Sequence, residues 1–193
     1  MAVLVDMWGT LIEEAVPHLE YHRARVERLL EASGVTPTPS LVEEGVSKFL
    51  EVRRRALRVR VFGLREVPAE EEIGAFLSEM GLEPEVTEAH LEAYSWPYLN
   101  MTRLREGAAE AVRELSSEHG LALVSNGSLG EMVEGVLERA GLSRYFDAVV
   151  TSDRVGVRKP HPAIFWRALE ELGEDSGVMV GDELLDDVIG ALS

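Results

Sequence analysis

Four short apolar runs, each ending beside polar residues, constrain the fold of this chain more than any other feature. The runs are AVLVD (2–6), LALVS (121–125), DAVVT (147–151) and GVMVGD (177–182). Short continuous apolar runs are typical of strands that are buried on both faces of a parallel sheet. Apolar residues at helical spacing separate the later runs, and this alternation predicts right-handed crossovers. We therefore expect an α/β fold with a Rossmann-like parallel sheet.

A helical insert interrupts this alternation after the first run. Residues 15–97 have the periodicity of four helices, so we expect residues 1–14 and 98–193 to form the α/β core around an inserted four-helix domain. The sequence ends at Ser193, one turn into the last predicted helix. A doubly wound sheet would normally add an edge strand there, so we expect that last strand to be absent from this chain.

The composition excludes two classes of binding partner and favours one cellular compartment. The net charge of −16 repels nucleic acid and anionic membrane surfaces. Without cysteine there is no disulfide, thiol nucleophile or cysteine metal site. No apolar run reaches the ~20 residues of a membrane span, so we expect a cytoplasmic protein with neither of those partners. Glutamine is absent and arginine far outnumbers lysine, which suggests a thermophilic source.

Polar residues follow each predicted strand, at the edge of the sheet where open α/β folds bind ligands. Taken strand by strand, they are Asp6 and Thr10; Ser125, Asn126 and Gly127; Lys159; and Asp182, Asp186 and Asp187. They comprise a carboxylate nucleophile, hydroxyl and backbone donors, a cation and hard oxygen ligands for Mg²⁺. Phosphoryl transfer needs these groups.

Four segments carry a resemblance to the haloacid dehalogenase (HAD) superfamily, whose members are mostly phosphatases. DMWGTL (6–11) resembles the first motif of that family, SNGS (125–128) the second, GVRKPHPAIF (156–165) the third and GDELLDD (181–187) the fourth. They occur in the family's order. The helical insert falls where the family carries a cap, between the first and second motifs. The resemblance therefore covers nearly the whole chain and implies a HAD-like core with a helical cap.

The resemblance implies a catalytic role for four of these residues. Asp6 would be the nucleophile that forms an aspartyl intermediate. Ser125, with the backbone N–H groups of Asn126 and Gly127, would hold the phosphoryl oxygens. Lys159 would neutralise the nucleophile and the phosphate, and a compact ammonium suits that task better than a planar guanidinium. Thr10 would steady the loop of the first motif.

The resemblance also implies a Mg²⁺ site. Asp6, the backbone carbonyl of Trp8 and Asp182 would be its ligands, and Asp187 would support the metal through water. Asp186 stands where many relatives have asparagine, so a capping or supporting role is expected for it.

Trp8 departs from the pattern of typical family phosphatases, which have a second aspartate two residues after the nucleophile. That aspartate protonates the leaving group, and such acid–base help contributes about 10²–10⁴-fold. An indole N–H only donates and cannot replace it. Three interpretations stay open: a Mg²⁺-dependent phosphomonoester hydrolase with Trp8 in place of the acid, a metal-free 2-haloacid dehalogenase with Asp6 as nucleophile, or a weakly active binder of phosphorylated ligands.

The fourth motif decides among these interpretations, because its carboxylates would crowd an anionic haloacid unless a cation is bound. We therefore expect a hydrolase of small phosphorylated substrates, with a small halogenated acid as the substrate class of the alternative. Neither the particular substrate nor the oligomeric state can be read from the sequence.

His18, His22 and Arg25 lie at positions i, i+4 and i+7 of the first helix of the insert. Residues at this spacing share one helix face. The face is either a substrate-binding surface that closes over the site or a solvated polar stripe. His161, which stands between two prolines, is expected to lie in a loop or at the start of a helix.

Overall fold

The computed structural model describes all 193 residues, and its strands and helices follow the predicted order. The strands are β1 (Ala2–Val5), β2 (Ile12–Glu14), β3 (Thr102–Leu104), β4 (Leu121–Ser125), β5 (Ala148–Thr151) and β6 (Gly177–Val180). The helices are α1 (His18–Ala32), α2 (Pro39–Gly63), α3 (Ala69–Glu79), α4 (Glu88–Asn100), α5 (Ala108–Glu118), α6 (Gly130–Arg139), α7 (Ser152–Val155) and α8 (Pro162–Leu172). A 3₁₀ turn at Ser143–Tyr145 and a π-helical turn at Leu184–Ile189 complete the chain.

The four predicted strands form one parallel sheet in the order β5-β4-β1-β6, which confirms the α/β fold class. Because helices connect these parallel strands, the carboxyl ends of all four strands lie at one edge of the sheet. Strand β6 is the edge strand beside β1, and its Val178 and Val180 are 47% and 40% exposed. Strands β2 and β3 pair in a separate two-stranded sheet that was not predicted, because three residues are too few to show a period.

The interior of the sheet explains the unbroken apolar runs. All four residues of β1 and all five of β4 are buried, so both faces of these strands are covered. On one face, Ile164 and Phe165 of α8 pack in a cluster with Leu4, Val124 and Val150. Each fully buried side chain of this size contributes about 1.5–3 kcal/mol to stability, and this packing fixes the strand ends that carry the polar residues.

The chain divides into two compact units. The sheet unit comprises residues 1–13, 64–66 and 103–193, and the helical unit comprises residues 14–63 and 67–102. Residues 64–66 therefore belong with the sheet, although they stand between α2 and α3 in the sequence. Gly63 and Pro68 mark a break between the two helices, but nothing in the sequence assigns the residues between them to the sheet.

The helical unit has its own apolar core, to which all four of its helices contribute. Buried side chains include Leu29 of α1, Phe49 of α2, Phe76 of α3 and Tyr94 of α4. Along α1 the buried residues recur at helical spacing, so one face of this helix packs against the others. None of the helices in the chain combines the length and apolar character that a bilayer span requires.

Candidate active site

Lys159 joins two carboxylates at the carboxyl edge of the sheet. Its Nζ donates hydrogen bonds to Asp6 Oδ1 at 2.6 Å and to Asp187 Oδ1 at 2.6 Å. Asp6 follows β1 directly, whereas Asp187 lies in the turn after β6. All three side chains are buried, and buried charges are stable only when they are paired and hydrogen-bonded. The structure thus brings together the predicted nucleophile, cation and metal-supporting residue.

The environment of Asp6 leaves its carboxylate incompletely satisfied. Burial raises the pKa of Asp6, while the charge and hydrogen bond of Lys159 act in the opposite direction. Its second oxygen, Oδ2, is buried and has no hydrogen-bond partner. An unsatisfied buried carboxylate oxygen is costly, and it requires either a cation or a donor from a ligand.

Asp182 completes a group of three carboxylates. One oxygen each of Asp6, Asp182 and Asp187 lies within 4.8 Å of the others, close enough to surround one metal ion. Thr10 Oγ1 donates to Asp182 Oδ1 at 3.3 Å, so the first-motif loop is tied to the end of β6. The steadying role of Thr10 stays a prediction, and this contact is consistent with it.

Two glycines make room for these carboxylates. Gly9 has a φ of +84°, and a Cβ at this position would overlap the carboxylate of Asp182. A Cβ at Gly181 would overlap the carboxylate of Asp187. Any side chain at either position would therefore push a carboxylate out of the cluster.

The loop after β4 holds the loop that carries Lys159. Asn126 Oδ1 accepts from Lys159 N at 2.8 Å, and its Nδ2 donates to Lys159 O at 3.1 Å. The same Nδ2 also donates to Asp186 Oδ2 at 3.0 Å. The Asn126 side chain is thus engaged by protein, and only its backbone N–H is a candidate for ligand binding. Ser125 is buried at the end of β4, and Gly127 follows in the same loop.

Asp186 and His161 have supporting positions beside these loops. Burial raises the pKa of Asp186, while the charges of Arg158 and Lys159 act in the opposite direction. His161 is the N-cap of α8, where its Nδ1 accepts from Ala163 N at 3.1 Å. The expectation that His161 lies in a loop or at the start of a helix is confirmed.

Trp8 lies in a tight turn at the end of β1. Gly9 N donates to Ile12 O at 2.8 Å, and Leu11 N donates to Met7 O at 2.8 Å. The Trp8 side chain is 37% exposed, so it is not a core residue. Arg105, which the sequence reasoning missed, donates to the carbonyl oxygen of Gly9 and holds this turn. Its position after a three-residue strand offered no sequence signal.

The polar residues of α1 do not form a solvated stripe, so that expectation is wrong. His18 is exposed and contacts Glu14 Oε1 at 2.6 Å. His22 and Arg25, by contrast, are 1% and 2% exposed, because this face turns into the core of the helical unit. Arg25 Nε donates to Tyr94 O at 2.8 Å. Substrate binding by these three residues stays a prediction.

Glu66, which the sequence did not identify as a site residue, is buried in the sheet unit. Its Oε2 accepts from Arg158 Nη1 at 3.0 Å and lies 2.5 Å from Ser152 Oγ. Glu66 stands 86 positions before Ser152 and 92 before Arg158. It was read as part of the helical insert, and nothing local in the sequence relates it to the strand ends.

The parallel sheet has an aspartate directly after one strand and a lysine with further carboxylates at the same edge. These features together define a class of hydrolase. The comparison with protein families agrees: the chain belongs to the haloacid dehalogenase-like hydrolase family, whose model matches residues 1–193.

Two relatives are phosphatases by name. Phosphoglycolate phosphatase of Aquifex aeolicus is 30% identical over 182 residues, which are 93% of this chain and 75% of that protein. Glyceraldehyde 3-phosphate phosphatase of Methanothermobacter thermautotrophicus is 40% identical over 78 residues, or 39% of this chain and 34% of the relative. Like that phosphatase, several other relatives are matched over less than half of their own length.

Solved structures of both phosphatases and dehalogenases share the fold. A HAD phosphatase from Thermococcus onnurineus has a TM-score of 0.67 and 26% identity, covering 99% of this chain and 81% of that chain. The L-2-haloacid dehalogenase of Xanthobacter autotrophicus has a TM-score of 0.62 and 24% identity, covering 99% and 73%. At this level of identity the dehalogenase shows the common fold alone.

Proposed function

We propose that this chain is a Mg²⁺-dependent phosphomonoester hydrolase that acts through an aspartyl-phosphate on Asp6. The observation that carries the proposal is the bridge from Lys159 to Asp6 and Asp187, within a cluster that also contains Asp182. The phosphatase names of several relatives support the same reaction class.

The carboxylate cluster fits a hard divalent cation. Three carboxylates carry a formal charge of −3 against the single positive charge of Lys159, so a dication would balance the group. Asp6 Oδ2 is a buried acceptor without a partner, and carboxylate oxygens are the ligands that Mg²⁺ prefers. We assign Asp6, Asp182 and the backbone carbonyl of Trp8 as its ligands.

Asp187 is better suited to an indirect role. Its Oδ1 accepts from Lys159 Nζ, and its Oδ2 accepts from Glu183 N at 3.0 Å. Both oxygens are therefore engaged, which favours support of the metal through water. When bound, Mg²⁺ would polarise the phosphoryl group and offset the charge on its oxygens.

In the first step, an oxygen of Asp6 attacks phosphorus and the bond from phosphorus to the leaving oxygen breaks. The bonding electron pair goes to the leaving group, which takes up a proton. Lys159 holds the attacking carboxylate in place, while Ser125 and the backbone N–H groups of Asn126 and Gly127 bind the phosphoryl oxygens. In the second step, water attacks phosphorus and loses a proton to solvent. The bond from phosphorus to the Asp6 oxygen breaks, its electron pair returns to the carboxylate, and phosphate is released.

The exposed indole of Trp8 sets the substrate preference that we expect. Trp8 provides no acid for the leaving group, so leaving groups of low pKa react best. Its exposed ring offers apolar area, which favours aryl over alkyl leaving groups.

Dehalogenation of a 2-haloacid is the second candidate function, and the aromatic residue at position 8 favours it. Halide departure needs no acid and no metal, so Trp8 would not be a defect for this reaction. The carboxylates of Asp182 and Asp187 weigh against it, since they would repel an anionic haloacid.

The deciding experiment is phosphate release from p-nitrophenyl phosphate with Mg²⁺ and with EDTA, beside an Asp6→Asn variant. We expect turnover that EDTA and the substitution both abolish. Turnover that persists with EDTA would contradict the metal assignment. Absence of phosphate release together with chloride release from 2-chloropropionate would establish the dehalogenase. Absence of both reactions would leave a weakly active binder of phosphorylated ligands.

A further inference from the structure

Residues Leu64–Glu66, which we call the strap, pair with the loop that leads to Lys159. Arg65 forms an antiparallel bridge with Val157. Arg158 N donates to Leu64 O at 3.0 Å, and Glu66 N donates to Gly156 O at 3.3 Å. Because these bonds lie on both sides of the bridge, the strap fixes the backbone immediately before Lys159.

The backbone of the strap is itself unusual. Leu64 has a φ of +49°, in the left-handed region that side chains other than glycine rarely adopt. Such conformations persist only where surrounding contacts outweigh their cost, and they cluster at functional sites. Here the contacts are those that the strap makes with residues 156–158.

The side chain of Glu66 connects two loops of the candidate active site. Its carboxylate is 4% exposed and pairs with Arg158, the neighbour of Lys159. The same carboxylate accepts the hydroxyl hydrogen of Ser152, whose Oγ lies 2.5 Å away, and the backbone N–H of the next residue, Asp153, donates to Gly127 O at 3.2 Å. One buried carboxylate thus contacts a residue next to the cation and the first residue of α7, the helix whose backbone holds the loop that contains Gly127.

We propose that Glu66 is a positioning residue for phosphoryl transfer. It holds the Arg158 guanidinium, so that the backbone of Lys159 stays in register and its ammonium remains between Asp6 and Asp187. By holding Ser152 at the start of α7, it also restrains the loop that contains Gly127, because Asp153 N donates to Gly127 O. This role rests on the proposed phosphatase function, since it serves the groups assigned to that reaction.

A second effect of Glu66 is electrostatic. The positive charge of Arg158 already acts on Asp186, which adjoins the carboxylate cluster. Without the Glu66 carboxylate, the guanidinium would compete with Lys159 for the carboxylates of the site. Loss of Glu66 should therefore impair the arrangement of charges more than the binding of substrate.

The test compares Glu66→Gln, which removes the charge and keeps the size, with Glu70→Gln as a matched control on an exposed glutamate. We expect Glu66→Gln to lower kcat for p-nitrophenyl phosphate at saturating Mg²⁺ about 10- to 100-fold, since small misplacements of catalytic groups cost up to that much. KM should change less than threefold by comparison. Glu70→Gln should leave both parameters unchanged.

Amide hydrogen exchange supplies a readout that does not depend on activity. We expect faster exchange in residues 125–128 and 156–161 of Glu66→Gln, with exchange in β1 unchanged. If kcat stays within twofold and neither loop exchanges faster, the proposal is overturned. Equal acceleration throughout the sheet unit would also overturn it, because Glu66 would then be a general stabilising residue. A wild-type protein that releases no phosphate would refute the proposed function, and exchange alone would then decide the role of Glu66.

Discussion

Replacing Lys159 with methionine tests whether its ammonium is the central charge of the site. Lys159 is 2% exposed and lies 2.6 Å from an oxygen of both Asp6 and Asp187. Methionine fills a similar volume but removes the charge, so two buried carboxylates lose their cation. Removing one partner of a buried ion pair costs about 3–5 kcal/mol, which is a large part of the 5–15 kcal/mol that stabilises a typical domain.

A double-mutant cycle with Asp6→Asn measures the coupling between Lys159 and Asp6. The single Asp6→Asn change should cost less than Lys159→Met, because Lys159 keeps Asp187 as its partner and no buried charge is left without a counter-charge. In the double variant only one carboxylate is left unpaired, so the loss should be at least about 1 kcal/mol smaller than the sum of the single losses.

Urea denaturation in EDTA at pH 7 measures the four free energies of unfolding. Phosphate release measured in parallel should be absent from both single variants. If the Lys159→Met variant proves too unstable to purify, Asp6→Asn combined with Lys159→Met supplies the comparison. Strictly additive losses, or a Lys159→Met loss below about 1 kcal/mol, would refute the view that Lys159 stabilises these buried carboxylates.

Three further predictions follow from other parts of the molecule. Mg²⁺ at 100 times its Kd should raise the free energy of unfolding by about 2.7 kcal/mol, and Asp182→Asn should remove this gain in a thermal-shift titration; an undiminished gain would place the metal elsewhere. Trp8→Asp should accelerate hydrolysis of alkyl phosphates by up to about 10²-fold with little change for aryl phosphates, and an unchanged alkyl rate would mean that another residue supplies the acid. Burial, and then the charge of Arg25, lowers the pKa of His22 from 6.5 to about 2. Protons bind only the unfolded state between these values, so acidification from pH 7 to pH 5 should cost about 2 kcal/mol through this residue. His22→Phe should lose that much less in urea denaturation at the two pH values, and equal losses would show that His22 titrates normally.

The parts of the site that the sequence predicted are those in which local pattern and sheet topology agree. Asp6, Lys159, Asp182 and Asp187 each follow a strand, and parallel pairing is sufficient to bring strand ends together. Burial on both faces accounts for the apolar runs of β1 and β4. The run of β6 also identified a strand, although most of its residues are exposed.

The parts that were missed depend on contacts between distant segments. Glu66 reaches Ser152 and Arg158 across more than 80 positions of sequence, and a helical insert gives no reason to assign one of its residues to the sheet. The position of Arg25 was also predicted wrongly. Its charge suggested a solvent-facing position, but the guanidinium is buried in the core of the helical unit. There its Nε donates to Tyr94 O and its Nη2 to Tyr21 Oη, while Nη1 has no hydrogen-bond partner.

The pairing of β1 with β6 brings together the two strands whose ends carry the carboxylate cluster. Asp6 follows β1, whereas Asp182 and Asp187 follow β6. A cation held by carboxylates from both strand ends would bind only while the two strands are paired. Metal binding should therefore also stabilise the pairing of β1 with β6, because a ligand stabilises the state that binds it.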